Sequence, residues 1–187
     1  MAINLSKGQR VSLDKGLKSI SVGLGWDPNQ ATGDDFDLDA STFMLGASGK
    51  IPTEEYFVFY NNRFSPDGSV EGAEDDTTGG ASDGDDDEEI KVDLTKVSSE
   101  ITEIVFVVTI HDHIARKQNF GQVGNSYIRI VDNNTNEEIM KYELDEDFST
   151  EASVEFGRLY RRGAEWKFEA MGRGYETGLQ FFVDKYV

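Results

Sequence analysis

The chain has 187 residues, of which 36 are acidic and 18 are basic, so its formal net charge is −18. A surface of this charge repels nucleic-acid phosphates and anionic lipids and attracts cations. Cysteine is absent, which excludes disulfides, thiolate zinc sites, iron–sulfur clusters and cysteine nucleophiles. We therefore expect no nucleic-acid partner, and a cation site is the first possibility to consider.

The length and the aromatic content predict one folded domain over residues 1–187. With 12 Phe, 7 Tyr and 2 Trp, the chain can build a hydrophobic core despite its charge. The segment Met1–Gly8 has no apolar signal region, and no stretch approaches the roughly eighteen apolar residues of a membrane-spanning helix. We therefore expect a cytoplasmic protein, and any association with a membrane would not use a transmembrane segment.

Short segments with β-strand patterns follow one another between Gly, Asn and Asp turn signals. The segment that starts at Phe36 begins with strict alternation of apolar and polar residues, which places its side chains on two different faces. Ile104–Ile110 is apolar throughout, as is typical of a central strand covered on both faces. In chain order, the predicted strands are Ser19–Leu24, Phe36–Leu45, Tyr56–Tyr60, Ile104–Ile110, Tyr127–Val131, Glu138–Leu144, Val154–Tyr160 and Trp166–Met171.

Few segments favour a helix. Thr177–Val187 has its apolar residues on one helical face and is predicted to be a short C-terminal helix, whereas Thr95–Glu103 is predicted to hold one helical turn. Glu71–Glu89, rich in Gly, Asp, Thr and Ser, is predicted to be a long loop inside the domain. Together these patterns predict an all-β fold: a two-sheet antiparallel β-sandwich with long acidic loops and a short C-terminal helix.

Three aspartates alternate along the chain where the predicted strand Phe36–Leu45 begins. Asp35, Asp37 and Asp39 project from one face, about 7 Å apart by the ~3.3 Å rise per residue, while Phe36 and Leu38 face the core. These carboxylates repel one another unless a counter-charge lies near, and Ca²⁺ supplies one through about six to eight oxygen ligands. The all-oxygen ligand set favours Ca²⁺ or Mg²⁺ over transition metals. The alternative, a solvated acidic face with an unstructured acidic loop, stays open at this point.

The spacing of the acidic residues excludes an EF-hand. Counted from Asp35, the sixth position is Ala40 and the twelfth is Gly46, where the EF-hand loop requires Gly and Glu. The same count from Asp83 fails at both positions. Any calcium site must therefore assemble from segments that are distant in sequence.

A series of ordered and unusual motifs runs along essentially the whole chain. These motifs are Leu5–Gly8 (LSKG), Val22–Asp27 (VGLGWD), Asp35–Ser41 (DFDLDAS), Phe59–Asn62 (FYNN), Asp67–Val70 (DGSV), Asp83–Asp86 (DGDD), Val107–His111 (VVTIH), Phe120–Val123 (FGQV) and Gly163–Phe168 (GAEWKF). In them the chain closely resembles the TerD-type tellurium-resistance and stress proteins. The resemblance implies a β-sandwich that binds two calcium ions through its acidic loops and serves in resistance to tellurite, other toxic anions and general stress.

The resemblance also implies which residues hold the calcium ions. Asp34 and Glu74 stand where the family often has non-acidic residues, so they are left out of the set. The segment Ala81–Glu89 is longer and more acidic than is usual in the family, which affects the register of its ligands. The implied ligands are Asp27, Asp35, Asp37, Asp39, Asn62, Asp76, Asp83, Asp85 and Asp86, with the carbonyl oxygen of Gly25.

The two histidines of the chain stand two residues apart. On an extended segment, His111 and His113 share one face and Asp112 lies on the other. This spacing suits a metal site or a catalytic base, but no serine nucleophile elbow accompanies it. We therefore predict a structural role for both histidines at a strand end and no catalytic residue.

Three functions are consistent with these patterns. The favoured one is a calcium-binding protein of a tellurite, toxic-anion and general stress-resistance system, which acts as a Ca²⁺-dependent binding or interaction module with other proteins of that system. The second is a metal-dependent enzyme that acts on an oxyanion or a phosphorylated metabolite, with the metal as Lewis acid. The third is calcium-bridged attachment to an anionic membrane, which the negative charge opposes when no metal is bound.

Overall fold

The computed structural model describes residues 2–74, 86–144 and 148–187. These residues form a sandwich of two mostly antiparallel sheets and one short C-terminal helix, which confirms the predicted fold. In chain order, the strands are β1 (Ile3–Asn4), β2 (Arg10–Ser12), β3 (Ser19–Gly25), β4 (Leu38–Leu45), β5 (Phe57–Val58), β6 (Val70–Glu71), β7 (Glu88–Asp93), β8 (Glu103–Ile110), β9 (Tyr127–Asp132), β10 (Glu137–Glu143), β11 (Ser153–Arg162), β12 (Glu165–Glu169) and β13 (Arg173–Tyr175). The helices are α1 (His113–Arg116), a single turn, and α2 (Leu179–Tyr186).

The strand order places the apolar strand β8 at the centre of one sheet. The first sheet has the order β1-β10-β9-β3-β7-β6, in which only β1 and β10 run parallel among the described strands. The second sheet has the order β2-β12-β11-β8-β4-β5, with β13 beside β11. From Ile104 to Ile110 every residue of β8 is buried, because a sheet neighbour flanks each edge and packed side chains cover both faces.

The core lies between the two sheets and draws on both. Ile20, Val22 and Leu24 of β3 are buried on one side, and Phe106 of β8 stacks on Phe156 of β11 on the other, with ring centroids 5.8 Å apart. Each fully buried side chain of this size stabilises the fold by about 1.5–3 kcal/mol relative to an exposed one. This core holds the strand ends that carry the acidic segments in fixed positions.

Helix α2 covers part of the outer face of the second sheet. The ring of Phe43 in β4 stacks on Phe57 at a centroid distance of 4.4 Å and meets Tyr186 of α2 at 5.1 Å. Residues two apart on a strand share a face, so Asp39 and Ser41 lie on the same outer face as Phe43. The fold therefore gives Asp39 a position on the helix-covered side of the sandwich.

Three local predictions are wrong. Only Phe57–Val58 of the predicted strand Tyr56–Tyr60 is extended, because a 3₁₀ turn, Glu54–Tyr56, precedes it and mutual hydrogen bonds close the turn between Phe59 and Asn62. Residues 95–102 form turns rather than a helical turn, since Thr95 and its neighbours bond locally to Asp93. The predicted loop Glu71–Glu89 extends too far toward the C-terminus, because Glu88 and Glu89 are the first residues of β7.

Asp67 fastens one surface loop to its neighbour through several hydrogen bonds. Its carboxylate accepts from Ser65 Oγ at 2.7 Å, from the N–H and Oγ of Ser69 at 2.9 and 2.7 Å, and from the N–H of Ser98 at 2.9 Å. Burial acts to raise the pKa of Asp67, but these bonds outweigh it and lower the pKa below its ordinary value of 3.8. The ionised form is therefore the one that the fold stabilises.

Replacing Asp67 by Asn should lower the free energy of unfolding by about 2 kcal/mol at neutral pH, because charge-assisted hydrogen bonds are lost. A group with a lowered folded-state pKa contributes stability above its unfolded pKa and loses it as the pH falls through the folded pKa. The difference in free energy of unfolding between the parent and Asp67→Asn should thus become smaller as the pH falls below 3.8. Urea unfolding over that range measures it, and a gap that is the same at every pH would contradict the assignment.

Candidate metal centre

Three acidic segments meet at one end of the sandwich, where β3 ends and β4 and β7 begin. They contain Asp27, Asp35 to Asp39, and Asp86 to Glu89. The main-chain N–H of Trp26 donates to Asp87 Oδ2 at 2.9 Å, and its indole Nε1–H donates to the carbonyl of Phe36 at 3.0 Å. The N–H of Asp87 donates in turn to the carbonyl of Leu24 at 2.8 Å. The buried Trp26 therefore connects the three segments, which are far apart in sequence but adjacent in the fold.

Glu88 links the two sheets at this end. It is the first residue of β7, is buried, and its Oε2 accepts a hydrogen bond from the N–H of Ala40 in β4 at 2.8 Å. Asp87 and Glu88 were not among the predicted ligands, although Asp83, Asp85 and Asp86 of the same acidic run were. The available signal was alternation, since Glu88, Ile90 and Val92 are all buried while the residues between them are not.

The three alternating aspartates face groups from one distant segment. Asp35 is exposed, and its carbonyl accepts from Arg116 Nη1 at 3.2 Å. Asp37 is buried with its Oδ2 4.0 Å from Arg116 Nη1, and Asp39 is buried with its Oδ2 3.9 Å from His111 Nδ1. Arg116 therefore supplies part of the counter-charge for which the sequence suggested a metal ion, and His111 places a ring nitrogen near Asp39.

Asp86 faces a cation of the protein itself. Arg129 Nε lies 2.8 and 3.0 Å from its two carboxylate oxygens, and Tyr127 donates its O–H to Oδ1 at 3.0 Å. Burial raises the pKa of Asp86 and Arg129 opposes this; burial and Asp86 together raise the pKa of Tyr127, which stays a protonated donor. A calcium ion on Asp86 would compete with this pair, so its role as a ligand stays a prediction.

Gly25 and Asp27 lie beside the same cluster. A Cβ on Gly25 would come within 2.4–2.6 Å of the Tyr127 ring, so glycine is required here by packing, whatever its carbonyl binds. Asp27 is exposed, and its Oδ2 accepts from Asn125 Nδ2 at 2.6 Å. Its N–H donates to the carbonyl of Gly124 at 2.9 Å, which fixes the direction in which the chain leaves β3.

Asn62 serves the edge of the second sheet. Its Nδ2 donates to the carbonyls of Glu55 and Phe57 at 3.0 and 2.7 Å, which satisfies main-chain acceptors at the edge strand β5. The amide oxygen is the atom through which Asn62 would bind a hard cation. Its metal role also stays a prediction.

Asp76, Asp83 and Asp85 lie outside the described residues. Within residues 2–74, 86–144 and 148–187, no group of three or more His, Cys, Asp or Glu is arranged to hold a metal ion. The described donors are oxygens, which suits Ca²⁺ in type, but they do not complete a coordination shell by themselves. A calcium site at this end would need ligands from residues 75–85.

The family model described as the TerD domain matches residues 1–186. The chain belongs to the TerD family. The tellurium resistance protein TerD of Serratia marcescens is 49% identical over 189 residues, covering 100% of this chain and 97% of that protein. General stress protein 16U of Bacillus subtilis (strain 168) is 50% identical over 190 residues with the same coverage. Both relatives of this TerD-family chain are named as resistance or stress proteins rather than as enzymes.

A solved structure supports the TerD-family fold. It is a crystal structure of a homologue of the telluride resistance protein TerD from Streptomyces coelicolor A3(2), with a TM-score of 0.75 and 22% sequence identity. The match covers 89% of this chain and 95% of that one. At this identity the comparison shows a shared fold. Among the described residues, no helix combines the length and apolar character needed to cross a bilayer.

The two histidines of this TerD-family chain do not share an extended face. Asp112 adopts a left-handed conformation with φ of 50°, and His113 begins α1, so the chain turns between them. As a result His111 Nε2 lies 3.6 Å from Asp112 Oδ2, instead of pointing away from it. The prediction of opposite faces is wrong because the strand ends at Ile110, one residue before the pair.

Proposed function

We propose that this protein binds calcium at the acidic end of the sandwich and acts as a Ca²⁺-dependent interaction module in a stress-resistance system. The observation that carries the proposal is the convergence of three acidic segments around Trp26, fastened by its hydrogen bonds to Asp87 and Phe36. Carboxylates held together by the fold repel one another, and a divalent cation relieves that repulsion.

The proposed ligands are carboxylates of the converging acidic segments. Asp27, Asp35 and Asp37 are the described ones, and residues 75–85 would contribute Asp76, Asp83 and Asp85. When bound, calcium would supply positive charge that offsets part of the net charge of −18 and would order the segments that it joins. The other predicted ligands, Gly25, Asp39, Asn62 and Asp86, each make the protein contacts described above and stay predictions.

The names of the relatives support the placement in a resistance system. Proteins about half identical over the full chain are named for tellurium resistance and for general stress. A surface that changes charge and order when calcium binds suits a module that contacts other proteins under particular conditions. Partner proteins of such a system, rather than nucleic acid, are the expected targets, because the charge repels phosphates.

Calcium should raise the thermal stability of protein freed of metal by chelation. Binding to the folded state adds RT ln(1 + [L]/Kd), about 2.7 kcal/mol at a hundredfold excess over Kd, and calorimetry should give two ions per chain if the implied stoichiometry holds. Asp37→Asn should weaken binding about tenfold, whereas the exposed Asp184→Asn on α2 should leave it unchanged. A melting temperature that stays flat up to millimolar calcium would rule the proposal out.

A further inference from the structure

A cavity of about 400 Å³ opens on the outer face of the second sheet, away from the inter-sheet core. Its walls come from the start of β4, from the end of β8, from α1, and from the start of α2. Asp39 and Thr109, which are paired in register on β4 and β8, form the sheet wall. Gly178 and Leu179 form the helix wall. Of the residues that line this cavity, only Asp39 is among the predicted calcium ligands.

The sheet wall of the cavity carries negative charge. Asp39 is 8% exposed, and His111 lies between it and Asp112, at 3.9 and 3.6 Å from their carboxylate oxygens. One imidazole therefore faces two carboxylates. A cationic group that enters the cavity meets an acidic wall inside a protein that is itself strongly acidic, so both the local and the long-range field favour it.

The rim of the cavity is apolar and exposed. Ile114 on α1 is 80% exposed and Tyr60 is 45% exposed, and both line the opening. Helix α1 is bracketed by left-handed residues, Asp112 with φ of 50° and Lys117 with φ of 54°. Non-glycine residues adopt this conformation at an energetic cost. The fold thus maintains a strained single turn that holds a large apolar side chain in solvent.

One buried polar atom at the cavity lacks a partner. His113 lines the cavity, and its Nε2 is buried and makes no hydrogen bond within the described part of the chain. A buried nitrogen without a partner is unfavourable. The fold therefore holds His113 at the cavity wall at a cost in stability.

We propose that this cavity docks an arginine side chain of a basic partner protein, with Ile114 and Tyr60 contacting the apolar residues that flank it. A guanidinium donates in a planar fork to a carboxylate such as Asp39 and packs on an aromatic ring such as Tyr60. A buried arginine beside apolar anchors is the usual composition of an interface hot spot. A second copy of this acidic chain would bring like charge to the wall. The inference does not depend on calcium binding.

The test uses the full chain and the capped peptide acetyl-Leu-Arg-Leu-amide, followed by ¹H–¹⁵N NMR in the presence of chelator. Shifts should concentrate at residues 39, 60, 111–115 and 178–179, with a dissociation constant on the order of 1 mM for so short a probe. The same peptide with citrulline in place of arginine keeps the shape and loses the charge. It should bind at least about tenfold more weakly.

Matched variants separate docking from a general effect of charge. Asp39→Asn and Ile114→Ala should each weaken binding of the arginine peptide about tenfold. Ile3→Ala, the same truncation on β1, should leave the affinity unchanged. Ile114→Ala, which removes no carboxylate, should still bind calcium as the parent does, which keeps this result distinct from the outcome of the calcium titration. Equal binding of the citrulline and arginine peptides would overturn the proposal, and so would unchanged binding by Asp39→Asn or shifts confined to the acidic end.

Discussion

Replacing Lys185 by Met should lower the free energy of unfolding by about 3 kcal/mol. Glu155 is fully buried in the second sheet, and Lys185 Nζ of α2 lies 2.5 Å from its Oε1. Tyr186 donates its O–H to the same oxygen at 2.5 Å; burial, followed by this bond, raises the pKa of Tyr186, so the phenol stays protonated. Without the ammonium group, a buried carboxylate loses its cation, which is strongly destabilising. Guanidinium unfolding measures the loss.

A double-mutant cycle shows whether the loss comes from the unpaired charge. Glu155→Gln combined with Lys185→Met should recover at least about 1 kcal/mol relative to additivity, because neither charge is then left alone. Lys167→Met on β12 removes an ordinary surface lysine and should change stability by less than about 0.5 kcal/mol. A purely additive double variant would show that the two side chains are not coupled.

Replacing Arg129 by Met should lower the free energy of unfolding by about 2–3 kcal/mol. This loss is slightly smaller than that for Lys185→Met, because the Asp86 carboxylate keeps more contact with solvent than the Glu155 carboxylate does. The side chains of Asp86 and Arg129 are 12% and 26% exposed. A Cβ on Gly23 would come within 2.0 Å of the Asp86 carboxylate, so Asp86 lies tightly over the glycine in β3. Loss of Arg129 leaves that carboxylate desolvated without a cation. Chemical denaturation in the presence of chelator measures the effect.

The same variant reports on the metal role of Asp86. If Asp86 binds calcium, Arg129→Met should gain more stability from calcium than the parent does, because the competing guanidinium is gone. Asp86→Asn in the Arg129→Met background should remove that extra gain. Equal gains in the parent and in Arg129→Met would assign Asp86 to the ion pair alone.

Much of the fold could be predicted because its signals are local. Alternation marks β4, continuous apolar character marks β8, and a helical apolar face marks α2, all of which the structure contains. The short edge strands were not predicted, because two or three residues, as in Ile3–Asn4, are too few to show an alternating pattern. Strand β7 was missed because two glutamates open it, and one of them, Glu88, is buried.

The candidate site was predictable in residue type but not in contacts. The sequence places Asp35, Asp37 and Asp39 on one side of a strand, and the structure buries Asp37, which directly precedes β4, and Asp39, the second residue of β4. The groups that face them, Arg116 and His111, come from a segment about seventy residues away whose approach depends on the β4–β8 register. No periodicity in the chain encodes that approach.

What the sequence by itself determined is the class of fold, the acidic character and the membership of the TerD family, because these rest on local periodicity, composition and ordered motifs. The tertiary structure decided which carboxylates meet a protein cation, which lie at the acidic end, and that Asp39 forms the wall of a separate cavity under α2. The physical reason is range. A pattern of buried and exposed residues is visible within a few residues of sequence. The partner of a charged side chain, in contrast, belongs to a distant segment that strand pairing brings within about 4 Å, where Coulomb interactions are strong.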